Sequence, residues 1–269
     1  MTTLNERYET GLKNLKIIDK EAGEKVVESL MGCSPDLVKY IIEYGFGDVY
    51  NRTELALKSK ELSVVAALTA MGNAAPQLRV HIHGALNVGA NIAEIQEVIL
   101  QMSSYAGFPA AINGMLALKE VVAERKQEGK LDETGVIQSD AIPQGTSRYV
   151  LGAQHLSQLD ANQVENLEAT FKDISPDLAR LVIEYGFADI FSRPALDSQH
   201  REMATIAALT AMGTASPQLQ FHIKAALKIG VSQVDIREIM ILMSVYCGFP
   251  AAINGTLALK EVLSERDAN

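Results

Sequence analysis

An internal repeat with an offset of 141 residues constrains this chain more than any other feature of its sequence. Residues 108–114 (FPAAING) return unchanged as 249–255, and residues 67–72 (ALTAMG) return as 208–213. About half of the positions between 34 and 125 are identical in the second copy, without insertion or deletion. Two copies are too few for a solenoid of short stacked units, and each is as long as an ordinary domain. The sequence therefore indicates a duplicated and fused gene.

The segment between the two copies has the composition of a linker. Residues 128–146 contain three glycines, one proline and several charged side chains. Such residues typically interrupt helices and form loops. We therefore expect two domains, 1–127 and 147–269, joined by a linker at 128–146.

Each copy is expected to be helical. Asn91 and Glu94 have the spacing of a capping box, and apolar residues then recur at helical spacing from Ile95 to Tyr105. This stripe could face the rest of its own domain or another subunit. No segment shows sustained alternation with a period of two, so the predicted fold class is all-α. The expected helices, each with a counterpart 141 residues later, are 20–31, 35–50, 58–71, 76–88, 92–106 and 109–126.

The composition is that of a globular protein, with 48% hydrophobic and 21% charged residues. The formal net charge of −9 disfavours a nucleic-acid partner, which would need clustered Lys and Arg, and also an anionic membrane surface. No apolar run approaches the roughly 18 residues of a membrane-spanning helix. The N-terminus lacks the residue order of a signal peptide, so we expect a cytoplasmic protein with no membrane partner.

Several chemical motifs are absent from the sequence. It contains no glycine-rich phosphate loop, HExxH, nucleophile elbow or Cys-x-x-Cys, and no metal site is expected. Its two cysteines, Cys33 and Cys247, are not equivalent under the 141-residue offset. They fit neither a disulfide framework nor a zinc pattern, so two small buried thiols are expected.

The residues best suited to carry chemistry are a glutamate and a histidine that occur in each copy. Glu61 lies near the start of one predicted helix and His81 lies in the next, and Glu202 and His222 repeat the pair. A carboxylate can hold an imidazole in one tautomer for proton transfer. At about 1.5 Å of rise per residue, the side chains meet only if the helical hairpin is staggered or its second helix starts early. The structural alternative is a core histidine and a first-turn acid favoured by the helix dipole.

Other recurring polar residues are weaker candidates. Arg52 and Arg193 recur at an expected helix connection, where an arginine could bind a substrate carboxylate through two hydrogen bonds, although a surface ion pair is commoner. Tyr105 and Tyr246 recur beside the Gly-Phe-Pro turn, where a tyrosine usually belongs to the core. The other histidines lack a histidine counterpart and are expected at the surface: His83, His155 and His200.

Several of these segments resemble the carboxymuconolactone decarboxylase family. The resemblance rests on residues 79–89 (RVHIHGALNVG), on 94–98 and on the Tyr-Ala-Gly-x-Pro-Ala stretch at 105–110. The Arg-Tyr pair at 7–8 and the Glu-Tyr-Gly segment at 43–45 resemble the γ-carboxymuconolactone decarboxylase branch. The match covers nearly all of each copy, and these segments are more specific for the family than for a substrate.

The resemblance implies an all-helical fold like that of alkylhydroperoxidase D. Because single-domain decarboxylases of this type form hexameric rings, a tandem chain would form a homotrimer with pseudo-hexameric symmetry. The resemblance also makes Glu61 and His81, with Glu202 and His222, the functional pairs. The peroxidase branch carries Cys-x-x-Cys before this histidine, and the matching positions here are Ala74, Gln77, Ala215 and Gln218. A thiol peroxidase needs a thiolate nucleophile, so that activity is not expected.

The implied reaction is a cofactor-free decarboxylation of a small carboxylated lactone such as 4-carboxymuconolactone. Loss of CO2 would leave a dienolate that is then protonated at carbon, with histidine supplying the proton or the oxyanion contact and glutamate orienting it. Arg52 or Arg193 would hold a substrate carboxylate, and Tyr105 and Tyr246 would contact the substrate.

Two other functions remain open, because a fold alone does not define a reaction. One is a different proton-transfer reaction, such as an isomerisation or a cyclisation. The other is a non-catalytic binding or assembly role. A pocket that contains His81 or His222, with a carboxylate in reach and an apolar wall, would favour an enzyme, whereas a buried histidine without a cavity would favour an assembly module.

Overall fold

The computed structural model describes residues 4–18, 22–136 and 145–268, and within these ranges every regular element is helical. The all-α prediction is therefore confirmed. The described helices of the first copy are α1 Leu4–Ile18, α2 Ala22–Met31, α3 Pro35–Tyr40, α4 Leu57–Met71, α5 Ala75–Asn87, α6 Ile92–Tyr105 and α7 Phe108–Gln127. Those of the second are α8 Arg148–Leu159, α9 Gln163–Phe171, α10 Pro176–Leu181, α11 Ser198–Met212, α12 Ser216–Lys228, α13 Gln233–Tyr246 and α14 Gly248–Ala268.

Two features of the helices differ from the sequence-based expectation. The helix expected at 35–50 changes its hydrogen-bonding pattern after α3 and continues as a π-helical segment, Ile41–Val49, which recurs as Val182–Phe191. Helix α1 and its counterpart α8 were not among the expected helices. The predicted capping box at the start of α6 is present, with Asn91 and Glu94 each accepting a hydrogen bond from the other's backbone N–H at 2.9 Å.

A glycine allows α1 to approach the first π-helical segment closely. A Cβ atom added at Gly11 would lie 2.0 Å from the carbonyl oxygen of Ile42, and one added at Gly152 would lie 2.1 Å from that of Ile183. Real Cβ atoms do not come this close to a backbone oxygen, so only glycine fits at these crossings. The same packing recurs between α8 and the second π-helical segment.

The two copies share one hydrophobic core, with α4 and α11 packed against each other at its centre. Every residue from 59 to 69 of α4 is buried, as is every residue from 201 to 210 of α11. A helix that is buried on all sides has no face in contact with solvent, so its sequence does not show the polar stripe of a surface helix. The apolar stripe predicted on α6 is confirmed as buried, and it faces both α4 of its own copy and α11 of the other.

The described part of the predicted linker packs on the first copy. The backbone N–H groups of Ile92 and Ala93 donate to the carbonyl oxygens of Glu133 and Thr134, each at 2.9 Å. The largely buried Arg125 donates to both carboxylate oxygens of Asp132 at 2.8 and 2.6 Å. Residues 128–136 are therefore held against α6 and α7, and residues 137–144 of the predicted linker lie outside the described part.

No helix within the described ranges is long and apolar enough to cross a membrane.

Candidate active site

Each copy joins its glutamate and histidine in a buried dyad. The Nδ1 nitrogen of His81 donates to Oε2 of Glu61 at 2.8 Å, and His222 and Glu202 repeat the bond at the same distance. Both glutamates are fully buried, and the histidines are 5% and 4% exposed. Of the two conditions under which the side chains could meet, an early start of the second helix does not apply, because α5 begins only one residue before the predicted start. The pair is therefore brought together by a stagger of the α4–α5 hairpin.

A tyrosine from the opposite copy packs on each histidine. The ring of Tyr246, at the end of α13, meets the ring of His81 edge-on with 4.8 Å between centroids. Tyr105, at the end of α6, meets His222 in the same manner at 5.4 Å. The Glu–His pair of either copy is therefore completed by the other copy, and both sites depend on the shared core between α4 and α11.

The first site contains a second tyrosine, which connects the dyad to the opposite copy. The hydroxyl of Tyr50, just after the first π-helical segment, donates to Oε1 of Glu61 at 2.7 Å. The Tyr50 hydroxyl also lies 2.8 Å from the hydroxyl of Tyr246. Because Tyr50 donates its proton to Glu61, Tyr246 is the donor and Tyr50 the acceptor in this second bond. Burial, reinforced by the Glu61 carboxylate, raises the pKa of both phenols, so both keep their protons.

The second site lacks this tyrosine, and its hydrogen bonds differ as a result. Position 191 is phenylalanine, whose ring lies roughly parallel to that of His222 at 6.3 Å. Among the described residues, Oε1 of Glu202 has no hydrogen-bond partner. The Tyr105 hydroxyl instead lies 3.1 Å from Nε2 of His222 and donates to it when the imidazole is neutral. Burial, reinforced by the Glu202 carboxylate, raises the pKa of Tyr105, which keeps this proton in place.

The Tyr50/Phe191 difference predicts two substitutions with opposite effects on stability. Tyr50→Phe removes a donor from the buried Glu61 and is expected to lower the free energy of unfolding by about 1–3 kcal/mol. Phe191→Tyr offers a donor to the unpartnered Glu202 oxygen and is expected to raise it by up to about the same amount. Urea unfolding of both variants measures the difference. A lower midpoint for Phe191→Tyr would show that the new hydroxyl does not reach Glu202.

A cavity of about 720 Å³ opens beside the second dyad, and we call it the His222 cavity. Residues of α8, α9, α10, α12 and the second π-helical segment form most of it. The first copy contributes the three residues Ser104, Tyr105 and Phe108. Its wall is mainly apolar, including Leu156, Leu167, Leu178, Phe187, Phe191 and Phe221.

Several polar residues of this cavity were not predicted as site residues, and Gln218 and Arg148 are two of them. Gln218 lies one helical turn before His222, at a position that carries cysteine in the peroxidase branch. Arg148 also lines the cavity, and its guanidinium donates to Asp189, with Nε at 2.9 Å from the carboxylate. Both residue types recur 141 residues earlier as Gln77 and Arg7, so recurrence was a signal that could have identified them.

The two arginines predicted to bind substrate are each engaged by a glutamate of the opposite copy. Arg52 donates to the two carboxylate oxygens of Glu238 at 2.6 and 2.7 Å. Arg193 donates to those of Glu97 at 2.8 and 2.9 Å and is not among the residues lining the His222 cavity. Their role in substrate binding stays a prediction, and these contacts support the ion-pair alternative.

One of the two cysteines is not buried as predicted. Cys33 is exposed, in the turn between α2 and α3, so the prediction of a buried thiol was wrong there. Cys247 is partly buried, and burial raises the pKa of its thiol to about 11. This thiol is therefore protonated near neutral pH. No group of three or more His, Cys, Asp or Glu side chains suited to a metal occurs among the residues that the structure describes.

The fold and the dyads define a class: an all-α protein built from two copies, with a composite Glu–His site in each. A family model described as "Carboxymuconolactone decarboxylase family" matches residues 35–120 and 176–261, once in each copy. These ranges cover more than half of the chain, and the protein belongs to the carboxymuconolactone decarboxylase family.

Three similar proteins each match about one copy of the chain. The 4-carboxymuconolactone decarboxylase of Acinetobacter baylyi is 30% identical over 117 residues, which is 43% of this chain and 87% of the relative. An uncharacterized 15.0 kDa protein of Paracoccus denitrificans is 36% identical over 115 residues, covering 42% and 81% respectively. Nitrosuccinic acid decarboxylase npaB of Metarhizium robertsii is 25% identical over 107 residues, covering 40% and 74%.

Proposed function

We propose that this protein is a carbon–carbon lyase that decarboxylates a small-molecule acid, using the Glu–His dyads for proton transfer. The observation that carries the proposal is the position of His222. It is bound to a buried carboxylate through Nδ1, and it lines an apolar cavity. This arrangement favours an enzyme over an assembly module, because a purely structural histidine needs no cavity. Two of the similar proteins named above are decarboxylases, and this favours decarboxylation over isomerisation or cyclisation.

The reaction proposed for the second site follows from the atoms present. The bond to the substrate carboxylate breaks, CO2 leaves, and the electron pair passes through the conjugated system to a carbonyl oxygen. When His222 is protonated on both ring nitrogens, Nε2 no longer accepts from Tyr105, and the Nε2–H and the Tyr105 hydroxyl can both donate hydrogen bonds to that developing oxyanion. His222 then transfers a proton to carbon and recovers one from solvent, while Glu202 holds its Nδ1–H. The net reaction consumes one proton for each CO2 released.

The test is turnover of 4-carboxymuconolactone, followed by CO2 release. We expect decarboxylation by the unmodified chain and a loss of about 10²–10⁴-fold in kcat when His81 and His222 are both replaced by alanine. His83→Ala is the matched control, because His83 lies two residues after His81 outside the dyad, and its turnover should be unchanged. Turnover by the double variant at the full rate would refute the proposed role of the histidines.

The proposed assembly is a homotrimer with pseudo-hexameric symmetry, acting in the cytoplasm. Supporting an assembly, α7 and α14 each expose three large apolar side chains at intervals of four residues. They are Phe108, Ile112 and Leu116, and Phe249, Ile253 and Leu257. Contiguous exposed apolar surface of this kind commonly marks a contact between proteins.

A further inference from the structure

The size and charge of the His222 cavity point to a particular class of substrate. We propose that this site prefers a monoanionic acid with a large apolar body, such as an aryl-substituted 3-oxo acid, over a small dianion such as 4-carboxymuconolactone, so that turnover of the dianion at this site is expected to be slow. The inference rests on the proposed function and names the substrate class of that same site.

The first argument is volume. A cavity of about 720 Å³ lies within the range of roughly 300–1,000 Å³ that proteins use for drug-sized ligands. A small lactone would leave much of this space to water against apolar walls. An aryl or branched alkyl group would instead displace that water and bury its surface, which is favourable in proportion to the apolar area removed from solvent.

The second argument is the shortage of cations. Among the residues that the structure describes, Arg148 is the only Lys or Arg that lines the cavity, and it is already bonded to Asp189 and 3.9 Å from Glu184. Arg193 and Arg201 both bind Glu97, and neither of them lines the cavity. A second substrate carboxylate would therefore lose its hydration without gaining a cationic partner, which is costly.

The third argument is the arrangement of polar groups. His222 and Tyr105 are in direct contact, and Gln218 lies one helical turn from His222. All three side chains line the cavity, and their polar groups suit a single carboxylate and its conjugated carbonyl. The first copy has a smaller or a more polar side chain at two matching positions, with Val80 in place of Phe221 and Tyr50 in place of Phe191. The preference is therefore expected of the second site in particular.

Binding of two unreactive probes to the full chain tests the proposal by calorimetry. The probes are 3-phenylpropanoate, a monoanion with an aryl body, and adipate, a small dianion. We expect 3-phenylpropanoate to bind at least tenfold more tightly than adipate. Equal or tighter binding of adipate would overturn the proposal.

Substitutions that fill the His222 cavity test whether 3-phenylpropanoate binds there. Leu178→Trp introduces a bulky ring at a cavity-lining position that is 45% exposed, so the fold should tolerate it, and thermal unfolding checks this. It should weaken 3-phenylpropanoate binding at least tenfold, whereas Leu37→Trp, at the matching position of the first copy, should leave that affinity within twofold. Leu181→Trp, with Tyr40→Trp as its match, repeats the test independently. Equal effects within each matched pair would refute the assignment to the second site.

These probes separate the two proposals. Binding is measured without turnover, so the substrate class fails if adipate is preferred, whatever the lyase assay shows. The lyase proposal fails if the His81/His222 double variant retains full turnover, whatever the probe preference.

Discussion

Replacing Glu61 and Glu202 together by glutamine is expected to lower kcat for decarboxylation by about 10²–10⁴-fold. Each carboxylate accepts the Nδ1–H of its histidine at 2.8 Å and is fully buried. A glutamine amide has nearly the same shape but carries no charge, so it cannot stabilise the imidazolium that forms during proton transfer. It can also present its NH2 group to Nδ1, which would force the histidine into the wrong tautomer.

The division between kcat and KM distinguishes this role from a merely structural one. KM should change only a few-fold, because neither glutamate is placed to touch the substrate. The single variants Glu61→Gln and Glu202→Gln report on each site separately, and Glu124→Gln controls for loss of a carboxylate at the surface. If both single variants and the double variant keep kcat within threefold of the unmodified chain, the glutamates only support the fold.

The second large effect concerns the stability of the interface between the copies. Glu97→Ala is expected to lower the free energy of unfolding by about 3–5 kcal/mol, because it leaves a buried cation without its partner. That cation is Arg201, which is 1% exposed and donates to Glu97 at 2.8 Å. Burial lowers the pKa of Arg201, and the Glu97 carboxylate opposes this shift. The same carboxylate also binds Arg193, so one truncation removes two ion pairs between the copies.

The matched control is Glu238→Ala in the second copy. Its partners Arg52 and Arg237 have side chains that are 36% and 52% exposed, so these guanidinium groups can regain water when the carboxylate is removed. The expected cost is about 1 kcal/mol, typical of a partly exposed ion pair. Urea unfolding measures both variants, and one core spanning both copies should give a single transition. Equal losses would mean that burial of Arg201 is not what makes Glu97 important.

The second prediction follows from the way in which the two copies meet, and the sites tested by the first are completed by the same interface. Tyr105 and Tyr246 each cross to the histidine of the other copy, and Glu97 and Glu238 each cross to an arginine. A separated copy would therefore lack the tyrosine of its own site and the partner of its own arginine. The proposed chemistry thus depends on the duplication as a whole.

The sequence by itself determined the repeat, most of the helices and the residues of the dyads. Capping residues and apolar spacing are local signals, and these predicted the start and the buried face of α6 correctly. Glu61 and His81 were identified because the same residue types recur in both copies and match a family pattern. Contact between the two side chains requires a stagger of the hairpin, which the structure shows.

Only the tertiary structure decided which residues surround each dyad. The way in which α4 packs against α11 decides whether Arg193 binds a substrate or Glu97. It also decides whether Tyr246 contacts the histidine of its own copy or that of the other copy. The contrast between Tyr50 and Phe191 is visible in the sequence, but its consequence, an unpartnered oxygen on Glu202, requires atomic positions. The physical reason is that helix formation depends on neighbours three or four residues apart, whereas these contacts join residues 96 to 196 positions apart.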